Sequence, residues 1–376
     1  MWSNLKNHNN KFINFISHKP KGKADKIILS FLYLISRGYE LIIFIRDLCY
    51  KKGIKRSFKL PCKVISIGSI TVGGAGKTPV TAYISEKLFN RGFAVAILSR
   101  GYKGSKERKM GVVSLGEKPL LSYKESGDEP AMLASMLKGI PVIVGKNRFS
   151  AGKWAIRNLG TKIIILDDGF SHLRLKRDIN ILLIDANKGL NHHLLPRGIL
   201  REPLSALKRA DMVMLTKIKQ ENSYEEVESM VREFLPNLSL FKSFYHVKGL
   251  KNLNSGEVIR DKNLLKDKKV LAFSGIADDD YFVYLIKRCG AKEAEVMKFP
   301  DHHYYTYKDI VKIKEKSRFF DMVITTSKDE VKLREFDFNG LDLYTLLIDV
   351  SVIEEEKFIS KLINEVKKNE RDYKNF

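Results

Sequence analysis

The run Thr71-Val72-Gly73-Gly74-Ala75-Gly76-Lys77-Thr78 constrains this chain more than any other feature. Glycines at this density let successive backbone N–H groups converge on one point. A helix opening behind them adds positive potential there, so the run suits phosphate oxygens. Such a loop acts this way only between a buried strand and a helix. Both neighbours are legible: Lys63 to Gly68 reads as a short buried strand, and Pro79 to Arg91 as a helix stopped by Gly92. Thr71 through Thr78 are therefore the expected nucleotide-binding residues, with Lys77 on the β- and γ-phosphates and the Thr78 hydroxyl on magnesium. A glycine turn of no special function is the bland alternative.

Thr71 stands where the usual pattern has its first glycine, leaving Gly73 and Gly74 to make the tight curve. Val72 stands where the dimeric partitioning-type ATPases carry lysine, which argues against that group.

Short β-branched runs continue downstream at Ala94–Leu98, Pro141–Val144, Ile163–Leu166, Ile179–Ile184 and Met212–Leu215, with helical intervals between several of them. That alternation predicts an α/β fold: a P-loop NTPase-like, mostly parallel sheet with helices on both faces. Val247 to Ile259 reads as a hairpin around Asn254-Ser255-Gly256. A second α/β set follows, with strands at Val270–Phe273, Met322–Thr325 and Leu343–Ile348 and a helix near Tyr281–Cys289. A length of 376 residues suits two domains plus an extension. The expected division is an N-terminal helix region over 1–60, a core over 61–240, a hairpin linker over 241–262 and a smaller α/β domain over 263–376.

In a parallel sheet the carboxyl ends of the strands share one edge, and ligands bind there. Asp167 and Asp168 end the fourth apolar run and are the expected magnesium carboxylates, with His172 within reach of the same pocket. A turn and helix cap is the plainer use of such a pair. Asp128, in Gly127-Asp128-Glu129-Pro130, could orient an attacking hydroxyl, but spacing alone ranks it no higher than a helix cap.

Ile27–Ile45 is apolar but carries Arg37 and Glu40 in its middle, which opposes a spanning helix. Lys19, Lys21, Lys23 and Lys26 precede it, and Arg46, Lys51, Lys52, Lys55 and Arg56 follow. An apolar helix with basic ends can lie among anionic headgroups; a core helix and a true span remain the alternatives. The net charge of +23 favours an anionic partner without choosing one. The charges are scattered and not arranged as a basic stripe with interleaved aromatics, so no nucleic-acid partner is expected. Thr216-Lys217-Ile218-Lys219 lacks the acidic residue of a guanine reader, which opposes a GTPase. Cys49, Cys62 and Cys289 form no CxxC pair, and a reducing compartment follows.

Taken together, the motifs resemble one family, the tetraacyldisaccharide 4′-kinases of lipid A biosynthesis. The resemblance runs through Gly68–Pro79, Ser99-Arg100-Gly101-Tyr102, Gly127–Pro130, Leu166–His172 and Leu195–Pro203. It continues through Phe273–Ile276, Phe299–His303 and Thr325–Asp329, in order along most of the chain. It implies transfer of the ATP γ-phosphoryl group to the 4′-hydroxyl of a tetraacylated glucosamine disaccharide 1-phosphate, giving lipid IVA. It also implies ATP and Mg2+ as cofactors and two α/β domains facing a cleft. The enzyme would be a monomer, peripheral or monotopic on the cytoplasmic face of the inner membrane of a Gram-negative-type bacterium. The alternative is a membrane-associated P-loop ATPase or GTPase of another class. By resemblance Asp128 is the catalytic base and His302 its partner from the second domain, with His303 as the rival histidine. Lys77, Thr78, Asp167 and Asp168 serve the phosphates and metal. Arg201, Glu202 and His172 face substrate. Closure of the second domain would bring His302 to Asp128. Ser171 replaces an expected glutamine, and Asn191-His192-His193 replaces an expected Gly-Asn pair.

Overall fold

The computed structural model describes residues 22–190, 193–219, 224–261, 263–338 and 340–368. Lys19, Lys21, Asn191, His192 and the basic tail residues Arg371 and Lys374 lie outside the described residues.

The elements are α1 Lys23–Lys51, β1 Lys63–Gly68, α2 Lys77–Phe89, β2 Val95–Ser99, β3 Gly111–Ser114, α3 Tyr123–Ser126, α4 Asp128–Met136, β4 Val142–Val144, α5 Arg148–Leu159, β5 Ile163–Asp167, β6 Ile179–Asp185 and β7 Met212–Thr216. They continue as α6 Glu225–Phe234, β8 Ser239–Asn252, β9 Val258–Ile259, β10 Lys269–Ser274, α7 Asp279–Arg288, β11 Glu293–Lys298, α8 Tyr307–Ser317, β12 Met322–Thr326, α9 Ser327–Leu333, β13 Leu343–Ile353 and α10 Glu355–Lys367.

Two compact units contain these elements: Met1–Ser99, Asn147–Ser243 and Val352–Phe376 in the first, Arg100–Lys146 and Phe244–Ser351 in the second. The division differs from the linear boundaries read from sequence. The stretch 100–146, expected in the core over 61–240, packs with the second unit. The helix α10, expected in the C-terminal domain, packs with the first. Aromatic contacts explain the latter: the Phe358 ring lies 5.0 Å from Phe241 and 6.5 Å from Tyr83. The helix α1 also belongs to the first unit and is no separate region.

In the first unit the strands run β8-β7-β6-β1-β5-β2, every neighbouring pair parallel. Ile65, Ile67, Ile97, Ile164, Ile165 and Leu182 are fully buried in it, as continuous apolar runs covered on both faces require. In the second unit β11-β10-β12-β13 are parallel, while β8 and β9 form the expected hairpin with Leu250 opposite Ile259. Leu271, Phe273, Ile310, Ile313, Val323 and Leu343 build its core. The strand expected at Pro141–Val144 forms, but as β4, antiparallel to β3 and in the second unit. β3 is only four residues long, Gly-Val-Val-Ser, too short a run to announce itself in the sequence.

Helix α1 spans 29 residues, about 43 Å at 1.5 Å per residue. Leu29, Ser36 and Ile43, seven apart, form its buried stripe. Most of its apolar residues are exposed, among them Ile27 (71%), Phe31 (63%), Leu34 (68%), Ile42 (65%) and Phe44 (62%), so a core helix does not describe it. The three cysteines are free.

Candidate active site

In the first unit the glycine loop joins β1 to α2. Gly73 and Gly76 have φ of 97° and 77°, which side-chain-bearing residues rarely adopt. Gly68 is required for a different reason: a Cβ there would lie 2.6 Å from that of Phe170. The loop is anchored from behind by the Thr216 hydroxyl, which donates to the Ala75 carbonyl at 3.0 Å. Thr71, in place of the usual glycine, is buried and shares a 2.9 Å hydrogen bond with the Ser69 hydroxyl. The Val72 N–H donates to the Ile199 carbonyl at 2.8 Å, so the loop is tied to the segment 194–202. Lys77 and Thr78 open α2.

Asp167 ends β5, parallel to β1, and is 1% exposed. It accepts hydrogen bonds from Thr81 at 3.1 Å and Ser99 at 3.3 Å. Asp168 follows with φ of 51° and receives both guanidinium arms of Arg201, at 3.1 and 3.0 Å. Lys77 lies 3.9 Å from it. Burial alone would raise the Asp168 carboxyl, but Lys77, Arg201 and Arg148 hold it well below the usual carboxylate range. Thr78 and the two aspartates supply hard oxygen atoms. Among the described residues no group of three His, Cys, Asp or Glu could hold a metal alone. That donor set fits magnesium, which takes one or two carboxylates and completes its shell with phosphates and water. His172 sits half-buried on the turn after β5, its N–H donating to the Gly169 carbonyl at 2.9 Å.

Arg201 and Glu202 sit where α1 meets the segment 194–202. Ser36 donates to the Leu194 carbonyl at 2.9 Å, and Tyr39 to the Arg201 carbonyl at 3.1 Å. Leu29 and Leu32 pack on Ile199 and Val72. Glu202, expected to face substrate, is fully buried and paired with Arg46 at 3.0 Å and Arg209 at 2.7 Å. Its oxygens are spent on holding α1 to this segment.

In the second unit Asp128 opens α4 behind Gly127, whose φ is 89°. A Cβ on Gly127 would lie 2.7 Å from the Tyr102 carbonyl oxygen. Asp128 is 7% exposed, and His302 Nδ1 lies 2.8 and 2.9 Å from its two oxygens. His302 has φ of 59°, a left-handed conformation that turns its ring toward Asp128 and the edge of Tyr102, 5.5 Å away. His303 faces elsewhere: its ring stacks on Phe299 at 4.9 Å and its Nε2 lies 3.0 Å from Asp309. Asp128 and His302 therefore meet inside one unit, and the expected closure is not needed to pair them.

Two lysines of α9, to which no role was assigned from sequence, face the same carboxylate. Lys328 lies 3.9 Å and Lys332 3.8 Å from Asp128 Oδ2. Lys328 also reaches Asp301 at 2.9 Å and Glu129 at 3.6 Å. Burial would raise the Asp128 carboxyl, but Lys328, His302 and Lys332 outweigh it and hold it well below the usual range. A lysine pair spaced i, i+4 on a short helix was the available signal.

The chain matches the family model for tetraacyldisaccharide-1-P 4′-kinase over residues 28–367. The tetraacyldisaccharide 4′-kinase of Desulfatibacillum aliphaticivorans is 39% identical over 334 residues, covering 87% of this chain and 90% of that protein. The Halothermothrix orenii protein of the same name is 36% identical, covering 90% and 93%. A crystal structure of Aquifex aeolicus LpxK in complex with ATP superposes with a TM-score of 0.72 at 36% identity, covering 90% of this chain and 99% of that one. By sequence over most of its length and by fold, the chain belongs to the tetraacyldisaccharide-1-phosphate 4′-kinase family.

Proposed function

We propose that this chain, as an ATP-dependent lipid kinase, phosphorylates the 4′-hydroxyl of a tetraacylated disaccharide 1-phosphate with Asp128 as the base that orients and deprotonates that hydroxyl. The contact between Asp128 and His302 Nδ1 at 2.8 Å carries the assignment. A carboxylate fixed by a ring N–H and flanked by two ammonium groups is ionised and immobile, as a group receiving a hydroxyl proton must be. The acceptor oxygen forms its bond to the γ-phosphorus, the bond to ADP breaks, and the hydroxyl proton passes to Asp128. His302, with Nδ1 protonated, orients the carboxylate.

In the first unit the loop 71–78 holds the ATP phosphates by backbone N–H groups, and Lys77 neutralises the β- and γ-oxygens. Thr78 and Asp167, with Asp168 beside them, would hold Mg2+, which would offset the charge on the phosphate oxygens. Arg201 is held on Asp168 by two hydrogen bonds, so its fork is occupied and it serves a substrate phosphate by its charge. Glu202 serves the lipid site by positioning α1 and not by contact.

The exposed apolar side of α1 docks on the cytoplasmic leaflet. Lys23 and Lys26 before that stretch, and Arg46, Lys51, Lys52, Lys55 and Arg56 after it, meet anionic headgroups. The enzyme is thus monotopic on the inner membrane, beside an acceptor whose acyl chains stay in the bilayer. Incubation with ATP, Mg2+ and the tetraacylated disaccharide 1-phosphate tests the activity: mass spectrometry should show a lipid one phosphate heavier, and none from the 4′-deoxy analogue. Product from the deoxy analogue, or none from either, would overturn the assignment.

A further inference from the structure

We infer that Lys332 is a positioning residue for the Asp128–His302 pair, holding the carboxylate charge on Asp128 and, through Asp329, the turn that carries His302. Resting on the role proposed for Asp128, it extends that site by a residue that touches no substrate.

Lys332 is 1% exposed, a costly place for an ammonium group. Around it packing is apolar: Val331 joins Tyr123 and Ala131, and Leu333 joins the core of the second unit. Packing alone would place leucine or methionine here. Lys332 instead meets two carboxylates, Asp329 Oδ1 at 2.6 Å and Asp128 Oδ2 at 3.8 Å, with the Tyr305 ring 5.5 Å away.

Asp329 is itself fully buried and does backbone work. Its Oδ2 accepts from the Gly275 N–H at 3.0 Å and from the Thr326 hydroxyl at 2.7 Å. The Gly275 carbonyl in turn accepts from the His302 N–H at 3.2 Å. His302 holds a left-handed backbone, so its ring direction depends on that support. One ammonium group thus acts on both members of the pair: on Asp128 by charge, on His302 through Asp329 and Gly275.

Lys328 does not duplicate it. It is shared among Asp301, Glu129 and Asp128, and its nearest partner is Asp301. Facing Asp128 are the backbone N–H of Glu129 from its own helix, Lys328 and Lys332 from α9, and Asp301, His302 and Tyr304 from the turn after β11. Without Lys332, Asp128 would share the Lys328 ammonium group with Asp301 and Glu129, and the base would take up a proton at higher pH.

The test is the kcat–pH profile of the K332M/D329N variant, beside D329N and D128N, with ATP affinity measured separately. Asparagine at 329 still offers Gly275 an acceptor, and the double change leaves no buried charge unpaired, so the fold is kept. The double variant should bind ATP normally, lose about tenfold in kcat near neutral pH, and show its acid limb moved up by about one pH unit. D329N, which keeps the Lys332 charge, should keep the wild-type limb. An unmoved limb in the double variant, with or without a fall in kcat, would mean packing alone and overturn the inference. Full turnover by D128N would overturn the role of Asp128 itself, and Lys332 with it; an inactive D128N beside an unmoved limb overturns only Lys332.

Discussion

The guanidinium of Arg46 donates to both carboxylate oxygens of Glu202, at 3.1 and 3.0 Å. Arg209 donates to the same carboxylate at 2.7 Å, and Glu202 is fully buried. Burial would raise this carboxyl, but Arg209 and Arg46 hold it below its usual range. Glu202→Ala would leave Arg46 and Arg209 near one another with only the partly exposed Asp47 as their remaining carboxylate partner. The expected loss of stability is about 3–5 kcal/mol, read by chemical denaturation. A variant as stable as wild type would show that the pair does not hold α1.

The outer side of α1 is a separate matter, because its residues make few contacts with the body. Phe31→Ser with Leu34→Ser should leave the melting temperature nearly unchanged. Partitioning onto vesicles containing anionic phospholipid should fall by at least about 100-fold, since each large apolar side chain contributes about 1.5–3 kcal/mol when buried. Sedimentation with vesicles measures it, and unaltered partitioning would remove α1 as the docking element.

The adjacent histidines should separate cleanly. His302→Ala removes the partner of Asp128 and should lower kcat by roughly 10–100-fold, with ATP affinity retained. His303→Ala removes a ring stacked on Phe299 and a partner of Asp309. It should cost about 1–2 kcal/mol of stability and leave kcat per folded molecule near wild type. Steady-state kinetics beside thermal unfolding decides between them.

Asp279 gives the second unit a pH dependence of unusual sign. It opens α7, is 8% exposed, and accepts a hydrogen bond from the Ser274 hydroxyl at 2.5 Å. Burial pushes its carboxyl up to about 6. The unfolded value is about 3.9, so the native state prefers the protonated form. The stabilisation is complete below the unfolded value and is lost as pH rises through about 6. Asp279→Asn should flatten that decline between roughly pH 4 and 7, as urea unfolding at several pH values would show.

Much of this was legible in the sequence because it is local. A glycine run between an apolar strand and a helix places Lys77 and Thr78, and β-branched runs such as Ile163–Leu166 report a buried parallel sheet. Closeness between distant segments is not local. Nothing in the run 100–146 says that it packs with residues from 244 onward. Glu202 looked like a cleft residue because its burial depends on Arg46, which lies 156 positions earlier. The pairing of Asp128 with His302 came from resemblance, while the two lysines around it needed three-dimensional placement. β3 is only four residues long, and β11 is polar enough to read as a loop, with Glu293 and Lys298 exposed.

The central claim is that Asp128 takes the acceptor proton in a 4′-phosphoryl transfer. The most direct test follows radiolabelled γ-phosphate from ATP into the tetraacylated disaccharide 1-phosphate in detergent micelles, for wild type and Asp128→Asn, with ATP binding measured on both. Wild type should give labelled lipid, and the variant at least about 100-fold slower transfer at equal ATP affinity. Transfer by the variant at the wild-type rate would contradict that claim.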